Sequence, residues 1–407
     1  MNTMLGRGEE DKRQIIFIEE IMAFTFFGAI QEKPQYKITK PIRLLEIFAG
    51  IGTQAMALRN LGANFERHRA YDFDKDAIKS YNAIHGTNFE PTDIRDVKGE
   101  DLGIVDVDKY EYVLTYSFPC QSLSCSGLQA GMKKGSGTRS GLLWEVERLL
   151  TETKELPQVL VMENVIQVHN PKNMPDFQLW LNFLESKGYK NFYADLNAKD
   201  FNLAQNRIRC FMVSVLGDYT YKFPKGSGLT KTLDDYLEDE VDSSYYLEQS
   251  RQDAMIRDLK DRIGTTIVED FYQTVRGNRY YQETAPTLRA ERHGLKVICA
   301  SRGRIIENKE LRVNESSTWT QQLEPNKCGT TNTLTTVAKD NLLLTGSNGD
   351  YTVRSLTPKE CWRFMGYSDE DYERAASVCA PTKLYKQAGN AIALPVMEAI
   401  FKELLSG

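Results

Sequence analysis

The chain has 407 residues, enough for roughly two or three domains. Charged residues make up 26% and hydrophobic residues 41%, as in an ordinary soluble globular protein, and the net charge of −5 argues against a protein that coats polyanions through its overall field. Local basic patches for nucleic acid remain compatible with that charge. The seven cysteines include no Cys-x-x-Cys pair, which argues against a disulfide framework or a zinc cluster and favours a reducing cytoplasm.

Residues 1–40 form an extension for which the sequence indicates no chemical role. The apolar stretch at 21–30 is shorter than the ~20 residues that a membrane span needs, and acidic residues precede it, unlike in a signal peptide. We therefore expect no membrane partner. The stretch is instead expected to form a helix packed on the body of the chain, or a contact in a dimer.

From about residue 41, short apolar runs alternate with amphipathic segments. The predicted strands cover residues 43–48, 65–71, 113–117, 159–162 and 210–216. The predicted helices cover residues 53–61, 75–85, 142–153 and 177–187. This alternation predicts an α/β fold with a doubly wound, mostly parallel sheet over residues 41–218.

The alternation ends at about residue 218. Residues 219–353 are polar, lack a regular period and are rich in Arg, Tyr, Thr and Asn, which predicts a second, smaller and irregular domain of loops and short strands. A helical pattern returns at 357–365, and residues 354–407 are expected to complete the first domain.

A glycine turn joins the first predicted strand to the first predicted helix. In Phe48-Ala-Gly-Ile-Gly52, Gly50 and Gly52 permit a tight turn and a close approach of the backbone to a ligand. The turn has no basic residue to grip a phosphate, and the aromatic ring of Phe48 could cover a sulfonium centre. NAD-like cofactors and S-adenosylmethionine both fit such a turn, and these details favour S-adenosylmethionine.

Acidic residues follow the next two segments. Asp72 ends the second predicted strand, 22 residues (72 − 50) after Gly50, where nucleotide-binding folds hold a ribose diol. Phe73 beside it would lie against an adenine ring. Residues 89–92 are interpreted as a third strand that ends at Asp93 and Ile94, so that Asp93 would accept a hydrogen bond from the adenine amino group.

A cysteine and a glutamate follow two further strands. Cys120 comes after the strand at 113–117, and Glu163 ends the strand at 159–162. Because the carboxyl ends of parallel strands form one edge of an open sheet, a nucleophile and a proton donor are expected to face one pocket.

Seven motifs occur in a fixed order. They are Phe48-Ala-Gly-Ile-Gly52, Asp72-Phe-Asp74, Thr92-Asp-Ile94, Ser117-Phe-Pro-Cys-Gln121, Met162-Glu-Asn-Val165, Gln205-Asn-Arg-Ile-Arg209 and Gln387-Ala-Gly-Asn390. Together they resemble the DNA cytosine-5 methyltransferases of bacteria and phages over residues 42–217 and 354–405. Residues 135–145 are similar to the CG-specific enzymes of mollicutes. Residues 219–353 do not follow the mollicute pattern, so CG specificity is not expected to carry over.

The resemblance implies a Rossmann-like fold that binds S-adenosylmethionine, and it implies roles for several residues. The Cys120 thiolate would add to C6 of a flipped cytosine, while Glu163 assists at N3. Arg207 and Arg209 would bind the O2 and phosphate side and help to keep Cys120 a thiolate. Asn390 would face the cofactor, and no metal is expected.

The resemblance also implies how DNA is held. Residues 122–141, which follow Gln121 at the DNA side of the site, would form a mobile lid. Within this lid, Ser126 would fill the space left by the flipped base. Its cations Lys133, Lys134 and Arg139 would contact phosphates, and residues 219–353 would occupy the place of the target-recognition domain.

The expected partner is double-stranded DNA, bound by a monomer in the cytoplasm of a bacterial or phage-infected cell. A restriction endonuclease would be a separate protein, or the enzyme would act as a phage-type orphan. Two alternatives remain open: an RNA cytosine-5 methyltransferase, disfavoured by the long segment 219–353, and a DNA-binding regulator that has lost catalysis, disfavoured by the intact Cys120 and Glu163. A Rossmann oxidoreductase is disfavoured by the Pro-Cys-Gln and Glu-Asn-Val motifs.

Overall fold

The computed structural model of this chain describes most of both expected domains. The described residues are 33–123, 131–263, 295–305, 319–325, 330–334, 336, 341–347 and 350–405. The apolar stretch at 21–30 therefore lies outside the described residues. Residues 33–40 are described and contact the body of the chain, since the backbone N–H of Tyr36 donates to Thr220 O at 2.8 Å and that of Ile38 to Leu404 O at 2.9 Å.

A six-stranded sheet forms the centre of the structure. Its strands are β1 (Ile42–Ile47), β2 (Phe65–Tyr71), β3 (Glu111–Tyr116), β4 (Val159–Asn164), β5 (Tyr189–Asn197) and β7 (Ile208–Leu216). Their order across the sheet is β2-β1-β3-β4-β7-β5, and β7 alone runs in the opposite direction to the other five strands of this sheet. The prediction of a mostly parallel sheet is confirmed.

Helices cover both faces of this sheet. In chain order the α-helices of the described residues are α1 (Thr53–Asn60), α2 (Lys75–His85), α3 (Leu143–Glu152), α4 (Met174–Ser186), α5 (Gln249–Ile263), α6 (Pro358–Arg363), α7 (Asp369–Ala376), α8 (Pro381–Asn390) and α9 (Leu394–Leu405). Neighbouring strand residues alternate between two hydrophobic cores: Val113 packs with α1, α6 and α9, whereas Leu114 packs with α3 and α4. The sheet is therefore doubly wound, and α9 covers the same face as α1.

Two segments differ from the sequence-based prediction. The third strand expected at residues 89–92 is wrong, because this stretch is irregular; the side chain of Asn82 donates to Phe89 O at 2.8 Å and accepts from Phe89 N at 2.9 Å. Pro91, which lacks an N–H group, also disfavours a strand there. Asp93 consequently caps a 3-10 turn instead of ending a strand. The prediction also omitted β5.

A second, antiparallel sheet lies within the segment expected to be irregular. Its strands are β8 (Leu295–Ile305), β9 (Trp319–Pro325), β11 (Asn341–Ser347) and β12 (Asp350–Ser355), in the order β12-β11-β8-β9. Met255 and Ile256 of α5 pack in the same hydrophobic cluster as Leu342 and Leu344 of β11. The domain boundaries stay a prediction.

A short strand pair links this segment to the first domain. Strand β10 (Thr331–Asn332) pairs in parallel with β6 (Gln205–Asn206), which directly precedes Arg207. Among the described helices, none combines the length and apolar character that crossing a membrane requires.

Candidate active site

The ends of four parallel strands and the loop after α8 surround one cavity of about 260 Å³. It contains residues from both predicted groups, the cofactor site and the catalytic site. Of the predicted residues, its walls include Phe48, Gly50, Asp72, Phe73, Cys120, Gln121, Arg139, Glu163, Arg207, Arg209 and Asn390. The fold thus brings into one site groups that lie more than half the chain apart.

The glycine turn after β1 adopts left-handed backbone conformations. The φ angles of Phe48, Gly50 and Gly52 are 59°, 57° and 79°. A Cβ at Gly50 would meet nothing within 4 Å, whereas one at Gly52 would lie 2.3 Å from His85 Nε2 and 2.5 Å from the Tyr81 ring. Gly50 therefore keeps the cavity side of the turn open, and Gly52, which does not line the cavity, allows the turn to pack on α2.

Buried polar groups beneath the turn support it. The Tyr81 hydroxyl donates to Glu46 Oε2 at 2.5 Å, and His85 Nε2 lies 3.1 Å from Ile51 O. Burial lowers the pKa of His85 to about 3, so the ring is neutral and its Nε2–H donates to Ile51. Burial raises the pKa of Glu46 to about 7. Sequence reasoning missed this group, because only the fold brings Glu46 and α2 together.

Asp72, the residue predicted to bind the ribose diol at the end of β2, holds the glycine turn. Asp72 Oδ2 accepts from Gly50 N and Oδ1 accepts from Asp74 N, both at 2.9 Å. Burial raises the pKa of Asp72 in spite of these bonds. Each carboxylate oxygen can accept a further hydrogen bond, so the diol role is compatible with this geometry. Phe73 is 65% exposed and lines the cavity, so its ring is available for stacking.

Two ion pairs join α8 to the start of α2 at the cavity. Lys386 Nζ lies 2.6 Å from Asp74 Oδ2, and Lys383 Nζ lies 2.8 Å from Asp76 Oδ2. Although burial opposes ionisation of Asp74, the Lys386 ammonium holds the pKa of that carboxyl below its usual value. These four cavity-lining residues were not predicted, since nothing in the sequence relates the two helices.

Asp93 and Ile94 are not among the cavity-lining residues. The Asp93 carboxylate pairs with Arg95, whose Nη2 lies 2.5 Å from Oδ2, and this pair lowers the pKa of Asp93. Ile94 is buried. The adenine contact expected of Asp93 stays a prediction, and it would require the carboxylate to share its ion pair.

Side chains from two other segments hold the backbone of the cysteine loop. Asn164 Nδ2 donates to Phe118 O at 2.9 Å, and Ser140 Oγ donates to Pro119 O at 2.7 Å. Sequence reasoning assigned neither role. Asn164 was visible in the Glu-Asn-Val motif, whereas Ser140 was included only in the predicted lid at 122–141. Cys120 is thereby presented from a fixed loop at the end of β3.

The surroundings of Cys120 raise the pKa of its thiol. Burial raises the pKa of the thiol and the Glu163 carboxylate raises it further, whereas Arg209 and Arg207 lower it without compensating. The two arginines thus act in the expected direction, and their role in keeping Cys120 a thiolate stays a prediction.

The pKa of Glu163 shifts upward, which is the direction that a proton donor needs. Burial raises the pKa of its carboxyl, against the opposing charges of Arg209 and Arg207. Arg209 Nε lies 3.4 Å from Glu163 Oε1. The site therefore couples a buried carboxyl of raised pKa with a cation that orients it.

Arg207 is buried and bonds elsewhere. Its Nη2 donates to Gly389 O at 3.1 Å and to Ala391 O at 2.7 Å, on either side of Asn390. Burial and repulsion by Arg209 lower the pKa of Arg207 to about 9, which still leaves a cation at neutral pH. The two arginines predicted to act together thus have different protein partners.

The predicted DNA-contacting residues lie in different surroundings. Arg139 is exposed and lines the cavity, whereas Lys133 is exposed and does not. Lys134 lies 2.6 Å from Glu147 and 5.3 Å from the centroid of the Trp144 ring. Ser126 lies outside the described residues. The DNA contacts stay predictions.

One group of side chains has the composition of a metal site. The ligand-type atoms of His169, Asp195 and Cys210 lie within 4.8 Å of one another, and His169 Nε2 is 2.9 Å from Asp195 Oδ1. That hydrogen bond and the burial of Cys210, which raises the pKa of its thiol, account for these residues without an ion. The expectation of no metal stays a prediction.

The sequence matches a known protein family over most of its length. Residues 42–406 match the family described as C-5 cytosine-specific DNA methylase. The type II methyltransferase M.Bsp6I of Bacillus sp. (strain RFL6) is 30% identical, with 89% of this chain and 100% of that protein covered. The type II methyltransferase M2.ScrFI of Lactococcus lactis subsp. cremoris is 29% identical, with 89% and 99% covered.

Two further relatives test narrower expectations. The orphan methyltransferase M.SssI of Spiroplasma monobiae is 47% identical over 157 residues, which are 38% of this chain and 39% of that protein, so the partial resemblance to mollicute enzymes is confirmed. The crystal structure of the S. pombe Dnmt2 methyltransferase superposes with a TM-score of 0.58 at 18% identity, covering 89% of this chain and 97% of that one. This likeness confirms the expected methyltransferase fold.

Proposed function

The chain belongs to the C-5 cytosine-specific DNA methylases, and from this premise we propose that it uses S-adenosylmethionine to methylate C5 of cytosines flipped out of double-stranded DNA. The chain is thus a DNA cytosine methyltransferase, and the mechanism and cofactor are the proposal. One observation carries it: a single cavity joins Cys120, Glu163 and Arg209 to the glycine turn and Asp72.

The reaction begins at Cys120. After its thiol proton leaves to solvent, Sγ forms a bond to C6 of the cytosine, and the electrons of the C5–C6 double bond move into a C4–C5 double bond. The electron pair of the N3=C4 double bond moves onto N3. N3 takes the proton of Glu163, so no negative charge builds up on the ring. Arg209, 3.4 Å from the Glu163 carboxylate, holds that group in place.

The resulting enamine makes C5 nucleophilic. Asp72 and the glycine turn at Gly50 would hold S-adenosylmethionine, which would supply a methyl group whose bonding electrons would stay with the sulfonium sulfur as C5 takes the methyl. Glu163 then recovers the N3 proton, C5 loses its own proton to a base, and the released electrons re-form the C5–C6 double bond as Cys120 leaves as thiolate.

The residues of the cofactor half fit this cofactor. The space over Gly50 is open, Asp72 offers carboxylate oxygens for a ribose diol, and the exposed ring of Phe73 offers a surface for adenine. Asn390 lines the same cavity as the last residue of α8. These residues would bind and orient the cofactor, and the fixed backbone of the glycine turn would exclude water from its side of the cavity.

Target choice is assigned to residues 219–353, with Lys133, Lys134 and Arg139 on DNA phosphates. The relatives include enzymes named type II and enzymes named orphan methyltransferases. We therefore propose that the chain, as a monomer in the cytoplasm, either protects DNA from a separate restriction endonuclease or acts as an orphan.

The proposal is tested by expressing the chain in a bacterial host that lacks cytosine methylation. The genome is then sequenced by a conversion method that reports 5-methylcytosine. We expect methylation confined to one short motif, and none from Cys120→Ser. Cys379→Ser, which replaces a half-buried thiol that does not line the cavity and keeps a hydrogen-bonding group for Asp76 and Gln387, is the matched control and should methylate normally.

Two results would contradict the proposal. A methylated genome from Cys120→Ser would show that another group attacks the base. An unmethylated genome from folded wild-type protein that binds S-adenosylmethionine would transfer the proposal to an RNA substrate or to a silent regulator.

A further inference from the structure

Arg207 and Arg209 were predicted as one pair acting on the base, but they contact different halves of the cavity. Arg209 lies beside Glu163, with 16% of its side chain exposed. Arg207 is 3% exposed and donates to the carbonyl groups of Gly389 and Ala391. The partners of Arg207 thus lie on either side of Asn390 at the end of α8, 182 residues or more along the chain.

These carbonyl groups belong to the end of α8. The last carbonyls of an α-helix have no partner within the helix, and the C-terminal end of the helix dipole favours a cation. Arg207 satisfies one carbonyl on each side of Asn390. The backbone of Asn390, a cavity-lining residue, is therefore held from both sides by one buried guanidinium.

Arg207 is itself held in place. Its backbone N–H donates to Asn197 Oδ1 at 3.0 Å, and its carbonyl accepts from Ala198 N at 3.0 Å. The preceding Gln205 donates through Nε2 to Phe364 O at 2.8 Å. Because its backbone is bonded on both sides, Arg207 is a firm anchor for the end of α8.

Resting on the proposed function, we propose that Arg207 is a positioning residue that holds Asn390 in the geometry that binds the cofactor. Arg209, in contrast, serves the target base through Glu163. Arg207 also has two donors, Nε and Nη1, without a hydrogen-bond partner among the described residues. Direct contact of these donors with the flipped base is the competing role, and the experiment has to separate the two.

The experiment compares Arg207→Lys with Arg209→Lys in the full chain. Calorimetry gives the Kd of S-adenosylmethionine, and methyl transfer to a duplex carrying the target motif gives kcat. Loss of a charge-assisted hydrogen bond should weaken cofactor binding by Arg207→Lys about 10-fold. The matched control, Arg209→Lys, should keep the wild-type Kd and lower kcat.

A double-mutant cycle with Asn390→Ala tests whether Arg207 affects cofactor binding through Asn390. If Arg207 acts through Asn390, then adding Arg207→Lys to the Asn390→Ala protein should weaken cofactor binding little further. Full additivity of the two losses would overturn the proposal, as would a lower kcat at wild-type cofactor affinity in Arg207→Lys.

Folding is checked by circular dichroism, and Arg207→Gln, which keeps one donor for the carbonyls, replaces the lysine variant if that variant unfolds. Unfolding of both variants would show that Arg207 serves the fold as a whole, which also contradicts the proposal. A wild-type protein that does not bind S-adenosylmethionine would instead contradict the proposed function.

Discussion

The two halves of the cavity are built in different ways. The cofactor half depends on backbone: Phe48 and Gly50 take left-handed conformations, and Asp72 accepts hydrogen bonds from two backbone N–H groups. The base half depends on side-chain charges: the half-buried Cys120 and the buried Glu163 lie near two arginines, and both have raised pKa values.

This difference indicates which half of the cavity has its geometry fixed before a ligand binds. Backbone conformation and its hydrogen bonds are formed once the chain has folded. The protonation of Cys120 and Glu163 depends on every charge nearby, since burial and mutual repulsion oppose the effect of the arginines. Changes in the base half should therefore alter pH dependence and rate, whereas changes in the cofactor half should alter affinity or stability.

The largest effect should come from Glu163→Gln in the base half. Loss of the N3 proton donor should lower kcat by roughly 10²- to 10⁴-fold. The substitution also removes the carboxylate charge that raises the thiol pKa, so Cys120 should form its thiolate at lower pH than in the wild type. The rate of alkylation of Cys120 as a function of pH, followed by mass spectrometry, measures this shift.

Glu155→Gln, at an exposed acid outside the cavity, is the control for that experiment and should leave both readouts unchanged. An unshifted alkylation profile in Glu163→Gln would show that the two groups are not coupled.

A smaller effect is expected in the cofactor half, from Glu46→Gln beneath the glycine turn. The folded-state pKa of Glu46 is about 7, raised from 4.5 by burial. Its contribution to stability is therefore fully present below pH 4.5 and is lost as the pH rises through about 7, a change of about 3 kcal/mol. The glutamine variant lacks this loss, and urea unfolding at pH 5 and pH 8.5 compares the two proteins.

The matched control for stability is Glu100→Gln, because the Glu100 side chain is 79% exposed. It should follow the wild-type dependence on pH. Parallel curves for the wild type and Glu46→Gln would show that Glu46 does not titrate in this range.

Much of the fold could be predicted because local patterns specify it. Helix α2 was predicted with its observed bounds, Lys75–His85, since Asp74 caps its start and Gly86 ends it. Strand β5 was missed because Tyr189–Asn197 lies at the edge of the sheet. Exposed and half-buried residues are mixed along it, so no apolar run marks it.

The site could be predicted only as far as its motifs reach. Cys120, Glu163 and Asp72 follow strand ends, and parallel strands bring such residues together. The different partners of Arg207 and Arg209 depend on contacts between residues more than 180 positions apart. The net pKa of Cys120 depends on burial, which a motif does not reveal.

Covalent attack by Cys120 is the central claim, and trapping the adduct tests it most directly. A duplex with 5-fluorocytosine at the methylated position lets the thiol add and the methyl transfer, but C5 then has no proton to lose, so the enzyme stays bound. Mass spectrometry should find the DNA on the peptide that contains Cys120, with one methyl group added. No adduct from an enzyme that methylates the ordinary duplex, or an adduct on another residue, would contradict the account.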